Sequence, residues 1–430
     1  MVDKLHDILF FFFSRQRLLP LDHGGGQYYV CYHFLNIFII MSPTIIKILL
    51  NYATTIGVNN PNYVIEPASE KGDNFMSIIS KLKVEDLDTK KVLSVIIKRA
   101  SSDEHTRAVM HTHAMFGREV WTYKKLIPIL NDLRVITACD KLQFPFCIEA
   151  YDKDKVEWLA LEDMCLKGYK LHRPRLASLD EQHMEIALAA LAEFHALSFV
   201  LKDKNVSLFN SLVKEIPDTL FPANSNSETF EPYLKQAVER ALKVITNQEN
   251  RDKLMKLCNN LYEKNVEIVK PNNYAVFCHG DYWKNNIMFK YKVRINLLFC
   301  AFDYQIVRAS SPLLDILYLI FCCSTQQERS THYEGYLRHY YTKLCKQLAG
   351  YNIEPNFSWS DFLVEATRCS PFAITLVMMV LPLLTCSSHN IPDASDVVDG
   401  GLCIEDSESL ELFSDRLNGV VEDCISYGYI

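Results

Sequence analysis

No C-x-x-C pair occurs among the 14 cysteines of this chain. Most sit inside apolar runs (Cys278, Cys300, Cys322, Cys323), as small buried hydrophobes do in a reducing compartment, so a cytoplasmic location is expected and a disulfide scaffold is not. No Cys/His spacing suits a structural zinc site. A Lys/Arg-rich block is missing too, and the net charge is −7, which speaks against nucleic acid as a main partner. The N-terminal run "YYVCYHFLNIFIIM" (28–41) carries His33 and Asn36 and falls short of the roughly 20 unbroken apolar residues of a membrane span. A membrane partner is therefore not expected. "ILFFFF" (8–13) is too short for a signal-peptide core, and Asp3 and Asp7 spoil a basic leader. Residues 1–40 read as a gene-model extension, with an ordinary sequence opening at Met41. There is no internal repeat and no G-x-G-x-x-G.

What remains is an ordinary globular composition, 49% hydrophobic and 23% charged, over 430 residues. That length accommodates two domains or one large bilobal one. After an amphipathic stretch near 44–56, "YVIEPASEKGDNFMSIISKLKV" predicts strand, turn and strand, with Gly72, Asp73 and Asn74 in the turn. "KKVLSVIIKRA" (90–100) is a third strand, and 114–130 has helical spacing with Phe116, Val120, Tyr123 and Ile127 on one face. Two more strands follow around a charged hairpin in "FPFCIEAYDKDKVEWLALEDM". From about 178 the pattern turns helical: 179–200, 229–268, 311–323, 334–349, 360–384 and a final amphipathic helix. The segment 387–409 reads as a mobile polar loop. The expected class is α+β, a small antiparallel-sheet lobe followed by a larger, mainly helical one. We divide it as an extension and leading helix (1–56), an N-lobe (57–164) and a C-lobe (165–430).

One polar loop interrupts the helical half. "CHGDYWKNNIMF" (278–289) sits between the buried strands "NYAVF" and "IMF", a rigid mount for chemistry. Asp281 and Asn286 are five positions apart, the spacing of Asp and Asn in a phosphotransferase catalytic loop. Taken alone, the same loop is equally an Asx turn. Asp303 follows Asp281 by 22 residues, at the end of the apolar run "INLLFCAF", where a carboxylate needs a partner such as magnesium. Lys98 lies near the end of the third strand and Glu119 on the next helix, placed to pair over phosphates, with solvated charges as the alternative. Asp315, a lone carboxylate in "SPLLDILYLIF", fits either loop rigidification or a solvated helix turn. His279 reads as a loop-orienting residue and His195 as a satisfied core histidine.

"EKGDNFMS", "REVWTYKKLIP", "LALEDM", "LAEFHALS", "HGDYWKNNIMF", "FDYQIVRASSPLLDILYLI" and "RLNGVVEDCISYGYI" resemble the ecdysteroid kinase-like family, which is similar to aminoglycoside phosphotransferases and choline kinases. The resemblance runs from about residue 57 to the C-terminus. It implies a bilobal protein-kinase-like fold that transfers the γ-phosphoryl group of ATP to a small-molecule alcohol. Carried over, Asp281 is the catalytic base, and Asn286 and Asp303 are Mg2+ ligands. Lys98 with Glu119 is the phosphate-binding pair, the backbone of Gly72, Asp73 and Asn74 approaches the phosphates, and Glu162 to Met164 is the adenine hinge. Tyr304 stands where Phe is usual after the metal-binding Asp.

A protein kinase is a poorer reading. Ser311-Pro312 begins only eight positions after Asp303, too close for an activation segment and an A-P-E. A catalytically silent nucleotide-binding module competes with an active kinase, and choline-like or xenobiotic compounds compete as its substrates. The apolar helices "PFAITLVMMVLPLL" and "ILYLIFCC" suggest a wall for a lipophilic alcohol, an ecdysteroid-type sterol first among them. Oligomeric state is not written in the sequence. Because residues 1–40 supply no motif, a chain beginning at Met41 should fold and bind ATP as the full chain does, measured by calorimetry; an insoluble or non-binding truncation contradicts this.

Overall fold

The computed structural model describes residues 19–22, 27–30, 42–68, 77–134, 142–172, 174–222, 230–291, 298–387 and 406–430. The expected turn at Gly72, Asp73 and Asn74, and most of the expected loop 387–409, lie outside the described residues. The chain divides into two compact units. The first comprises residues 1–69, 79–98 and 160–163, and the second comprises 70–78, 99–159 and 164–430.

In the first unit, short strands β1 (Leu19–Asp22) and β2 (Gln27–Val30) pair antiparallel, and α1 spans Pro43–Thr55. The Ser42 side chain accepts the Thr44 N–H, and Pro43 at the first position has no N–H to leave unpaired, so α1 starts there. Strands β3 (Pro61–Pro67) and β4 (Ser77–Asp86) pair antiparallel from Pro61↔Asp86 to Pro67↔Ser80. Alternating Ser80, Leu82, Val84 and Asp86 of β4 point inward, the period of a half-buried strand. β5 (Val92–Ala100) contributes buried Val95 and Ile97. Asp86 fixes the β4–β5 turn: its carboxylate accepts backbone N–H groups of Asn59 (2.6 Å), Asn60 (3.1 Å), Asp88 (3.1 Å) and Thr89 (2.7 Å). β8 (Trp158–Glu162) continues this sheet in the order β3-β4-β5-β8, and β7 (Cys147–Tyr151) is a strand of the second unit.

The second unit holds the helices. Short α2 (Glu104–Val109) precedes α3 (Thr112–Trp121), which runs through a π-helical turn (Thr122–Leu126) into α4 (Ile127–Leu133). The expected continuous helix over 114–130 is thus interrupted just before Pro128, whose ring removes a donor from the ladder. α5 (Glu181–Glu215) is capped by Asp180 and bends at Asn205, which accepts the Leu208 N–H and starts the second half. The single helical region expected over 229–268 is three helices: α6 (Glu231–Val244), α7 (Gln248–Cys258) and α8 (Leu261–Ile268). Asn247 caps α7, and Asn260, left-handed at φ 53°, breaks the chain before α8.

α9 (Leu313–Cys323) is buried at every position. α10 (Gln326–Ala349) and α11 (Trp359–Thr385) both begin with capping boxes, Thr325/Glu328 and Ser358/Asp361, and α12 (Ser407–Ser426) closes the chain. α5 packs along α10, and α11 along α9 and α12. By length and composition α5 and α11 are apolar enough to cross a bilayer, yet 83% and 67% of their apolar windows are buried within the protein. Two small sheets complete the unit: β6 (Leu142–Gln143), β12 (Leu298–Ala301), β11 (Ile287–Lys290) and β9 (Lys170–Leu171) in that order, and β10 (Val276–Cys278) with β13 (Arg308–Ser310).

The C-terminal helix is fastened by a buried ion pair. Arg329 Nε donates to Asp423 at 2.6 Å and its Nη1 to Ser324 O at 2.8 Å, with both side chains largely out of water. Burial pushes the Asp423 carboxyl above its ordinary value although Arg329 opposes the shift. Such a pair costs much to break and little to replace. Arg329→Met should therefore lose about 3–5 kcal/mol in urea unfolding, and adding Asp423→Leu should restore most of it. A double variant no more stable than the single one contradicts this.

Candidate active site

Two hairpin-like pairings build the site. β10 pairs antiparallel with β13 (Cys278↔Arg308), and β11 with β12 (Ile287↔Ala301). The β10–β11 loop, 279–286, is therefore tied at both ends to the β12–β13 loop, 302–307. Phe302 N–H reaches Asn286 O at 3.1 Å, and His279 Nε2 reaches Phe302 O at 3.0 Å. The loops are in contact at Gly280, with φ +86°, where an added Cβ would lie 2.0 Å from Ile306 O. Only glycine fits there.

His279, Gly280, Tyr282 and Lys284 of the first loop each have a partner that fixes them. Asp315, on the first turn of α9 and 1% exposed, accepts the His279 N–H (2.6 Å) and the Gly280 N–H (2.9 Å). The same carboxylate meets His195 Nε2 at 3.2 Å, and His195 Nδ1 meets Tyr340 Oη at 2.7 Å. Burial raises the Asp315 carboxyl, but the hydrogen bonds from His195 and from the Gly280 N–H outweigh it and hold it below the usual range. His279 Nδ1 accepts the Asp281 N–H at 3.3 Å while Nε2–H donates to a carbonyl, which is the neutral tautomer. Burial lowers its pKa accordingly. Tyr282 Oη donates to Ala187 O of α5 (2.8 Å), and the buried Lys284 ammonium donates to Ala177 O (2.6 Å) and to Arg175 O.

This leaves Asp281 and Asn286 facing one another. Asn286 Nδ2 donates to Asp281 Oδ2 at 2.7 Å and to its carbonyl at 3.0 Å. Tyr318 Oη, from α9, donates to Asp281 Oδ1 at 3.0 Å. Burial and the nearby Asp303 carboxylate push Asp281 up to about 6, against the hydrogen bonds from Tyr318 and Asn286. Asp303 itself is 9% exposed and left-handed at φ 65°, a conformation short polar residues tolerate in functional loops. With its Nδ2 engaged, Asn286 keeps its amide oxygen, and Asp303 supplies carboxylate oxygens. An oxygen-only donor set beside mutually repelling carboxylates fits a hard divalent cation such as Mg2+.

Lys98, 4% exposed near the end of β5, is in the first unit, and Glu119, 1% exposed on α3, is in the second. Neither is a solvated surface charge. Glu162 ends β8 in the first unit. Its neighbour Asp163, which the sequence pattern does not single out, accepts from Ser94 Oγ at 2.8 Å and lies 3.3 Å from Lys81 Nζ. Met164 packs with Tyr169, Cys300 and Met288 in the second unit. Gly72, Asp73 and Asn74 lie outside the described residues. Sequence reasoning also missed Tyr282, Lys284, Tyr318 and Tyr340. For Tyr318 a signal existed: three positions after Asp315 on a helix, it shares that residue's face.

A family model described as the ecdysteroid kinase-like family matches residues 71–353. No curated protein sequence matches the chain. Among solved structures, a variant of aminoglycoside 2'-phosphotransferase-IIIa with GDP is similar at 14% identity and TM-score 0.44, over 87% of this chain and 96% of that one. Plasmodium vivax ethanolamine kinase is similar at 15% identity and TM-score 0.41, over 90% and 91%. A choline kinase from Streptococcus pneumoniae is similar at 11% and 0.38, over 88% and 99%.

Removing the Asp315 carboxylate leaves two buried N–H groups unpaired. Asp315→Ala should cost about 3–5 kcal/mol, read by urea unfolding. Gly280→Ala should push the two loops apart and lower stability in the same unfolding measurement. Wild-type stability in either variant contradicts this pairing of the loops.

Proposed function

The chain belongs to the ecdysteroid kinase-like family, a family of small-molecule kinase-like proteins with the protein-kinase-like fold, and we propose that it transfers the γ-phosphoryl group of ATP to the hydroxyl of a lipophilic alcohol. The observation that carries this reading is Asp281. It is oriented through both oxygens, raised to about 6 by burial and by Asp303, and set on a loop whose backbone α9 holds.

In this role Asp281 would accept the proton of the acceptor hydroxyl as that oxygen bonds to the γ-phosphorus and the bond to the β-phosphate oxygen breaks, ADP leaving. Phosphoryl transfer asks little covalent chemistry of the protein, so position and charge are what it supplies. Asn286, through its amide oxygen, and Asp303 would hold Mg2+. When bound, that ion neutralises charge between the β- and γ-phosphates. Lys98 would hold the α- and β-phosphates, and the Glu162–Met164 backbone would meet the adenine. Free thiols at every described cysteine suit a cytoplasmic location.

Burial narrows the surfaces that could receive the acceptor. α9 is wholly buried and packs the core, so it offers no wall to a ligand. On α11 the apolar positions left partly exposed include Met379, Val380 and Leu383. A flat, uncharged alcohol of the ecdysteroid type would gain about 25 cal/mol per Å² buried against such a surface. A polycationic antibiotic would gain little.

Two measurements test the proposal. Asp303→Ala should lower turnover by more than about 10³-fold, and near-normal turnover by that variant contradicts the metal assignment. On one preparation, kcat/KM should be higher for steroid alcohols than for choline or an aminoglycoside, with the phosphorylated product detected by mass. The reverse order replaces the acceptor class.

A further inference from the structure

α9 reaches the loop twice. Asp315 takes the N–H groups of His279 and Gly280, and one turn later Tyr318 places its hydroxyl 3.0 Å from Asp281 Oδ1. Between and around them the helix is Leu, Ile, Phe and Cys, every residue buried. A buried phenol needs a partner for its O–H. Here the partner is the one carboxylate that faces the reaction.

We infer that Tyr318 is a positioning residue for phosphoryl transfer: its phenol fixes the Asp281 carboxylate in the orientation that receives the acceptor's proton, so that it acts on kcat and not on nucleotide affinity. The inference rests on the phosphotransferase reading above.

Three features carry it. First, Asn286 holds Oδ2 (2.7 Å) and Tyr318 holds Oδ1 (3.0 Å), so the carboxylate cannot turn about its bond to Cβ without breaking one of the two. Each oxygen still has a lone pair for an incoming hydroxyl, because a carboxylate offers about four acceptor sites. Second, the donor is neutral. A lysine or arginine at the same place would hold Asp281 as well but would strip it of basicity, whereas a phenol orients with a smaller loss. Burial and the Asp281 charge push the phenol well above its ordinary pKa, so it keeps its proton while it donates. Third, Tyr318 is 1% exposed and set by a helix that also defines the loop backbone. Backbone and side chain of the base are therefore referenced to the same rigid element, as a preorganised site requires.

The competing account is that Tyr318 fills core volume, in which case phenylalanine serves equally well. Tyr318→Phe keeps the ring and removes only the hydroxyl. Mg-ATP consumption should fall about tenfold to a hundredfold in kcat, with water or an accepted steroid alcohol as the nucleophile. KM for ATP and the melting temperature should stay at wild-type values. A kcat within twofold of wild type, or a loss expressed in KM alone, overturns the inference. A second readout is independent of turnover and of whether the phenylalanine variant folds. With 3-fluorotyrosine at position 318, the ¹⁹F resonance should move when Asp281→Asn removes the carboxylate charge. A resonance unmoved by that change overturns the inference even if the wild-type chain transfers no phosphate, whereas a wild-type chain without turnover but with a shifted resonance removes only the kinase reading.

Discussion

The carboxylate of Asp315 is the constraint on which the rest of the site depends. It lies in a helix with no exposed residue, and it is the acceptor for two consecutive backbone N–H groups of the loop that carries Asp281. An ionised carboxylate in such a place is costly unless saturated with donors. His279, Gly280 and His195 provide them, and Tyr340 in turn holds His195. The chain of bonds therefore runs from α10 through α5 to α9 and into the loop. Stability and site geometry are the same set of contacts, so a change at His195 or Tyr340, which belong to the helical core, is felt at Asp281.

The second constraint is the close meeting of the two loops. Gly280 has room for no side chain, and Asp303 adopts a left-handed backbone that most residues avoid. Both deviations serve one end, which is to bring two carboxylates and an amide near enough for their charges to interact. Burial first, and that repulsion second, raise the Asp281 pKa. A divalent cation relieves that repulsion, and the oxygen-only donor set is the kind magnesium takes.

How much of this was legible in the sequence depended on whether the information was local. Asp281 and Asn286 sit in one continuous loop, so spacing alone suggested their partnership. Asp303 and Asp315 stood out because a carboxylate in an apolar run is chemically conspicuous. The α+β class followed from the change of periodicity near residue 178. Tyr318 shares the helix face of Asp315, which the sequence shows, but a tyrosine in "LLDILYLIFCC" reads as core until its hydroxyl is seen to face Asp281. The His195–Tyr340 bond joins positions 145 residues apart and requires knowing that α5 packs on α10. Lys284, buried against two carbonyls, defies the surface habit of lysine. β6 and β9, two residues each, are too short for any periodicity to register. The breaks within 229–268 had a local cause, at Asn247 and Asn260, that apolar spacing alone overlooks.

The account stands on the claim that Asp281, Asn286 and Asp303 form one magnesium–nucleotide site, and the most direct measurement is the magnesium dependence of ATP binding. Calorimetric titration of ATP into the full-length chain, with Mg2+ and with a chelator, should show binding strengthened at least tenfold by the ion. The same titrations on Asp303→Asn should show no such gain. Wild-type affinity indifferent to magnesium, or an Asp303→Asn variant that responds as the wild type does, contradicts the claim.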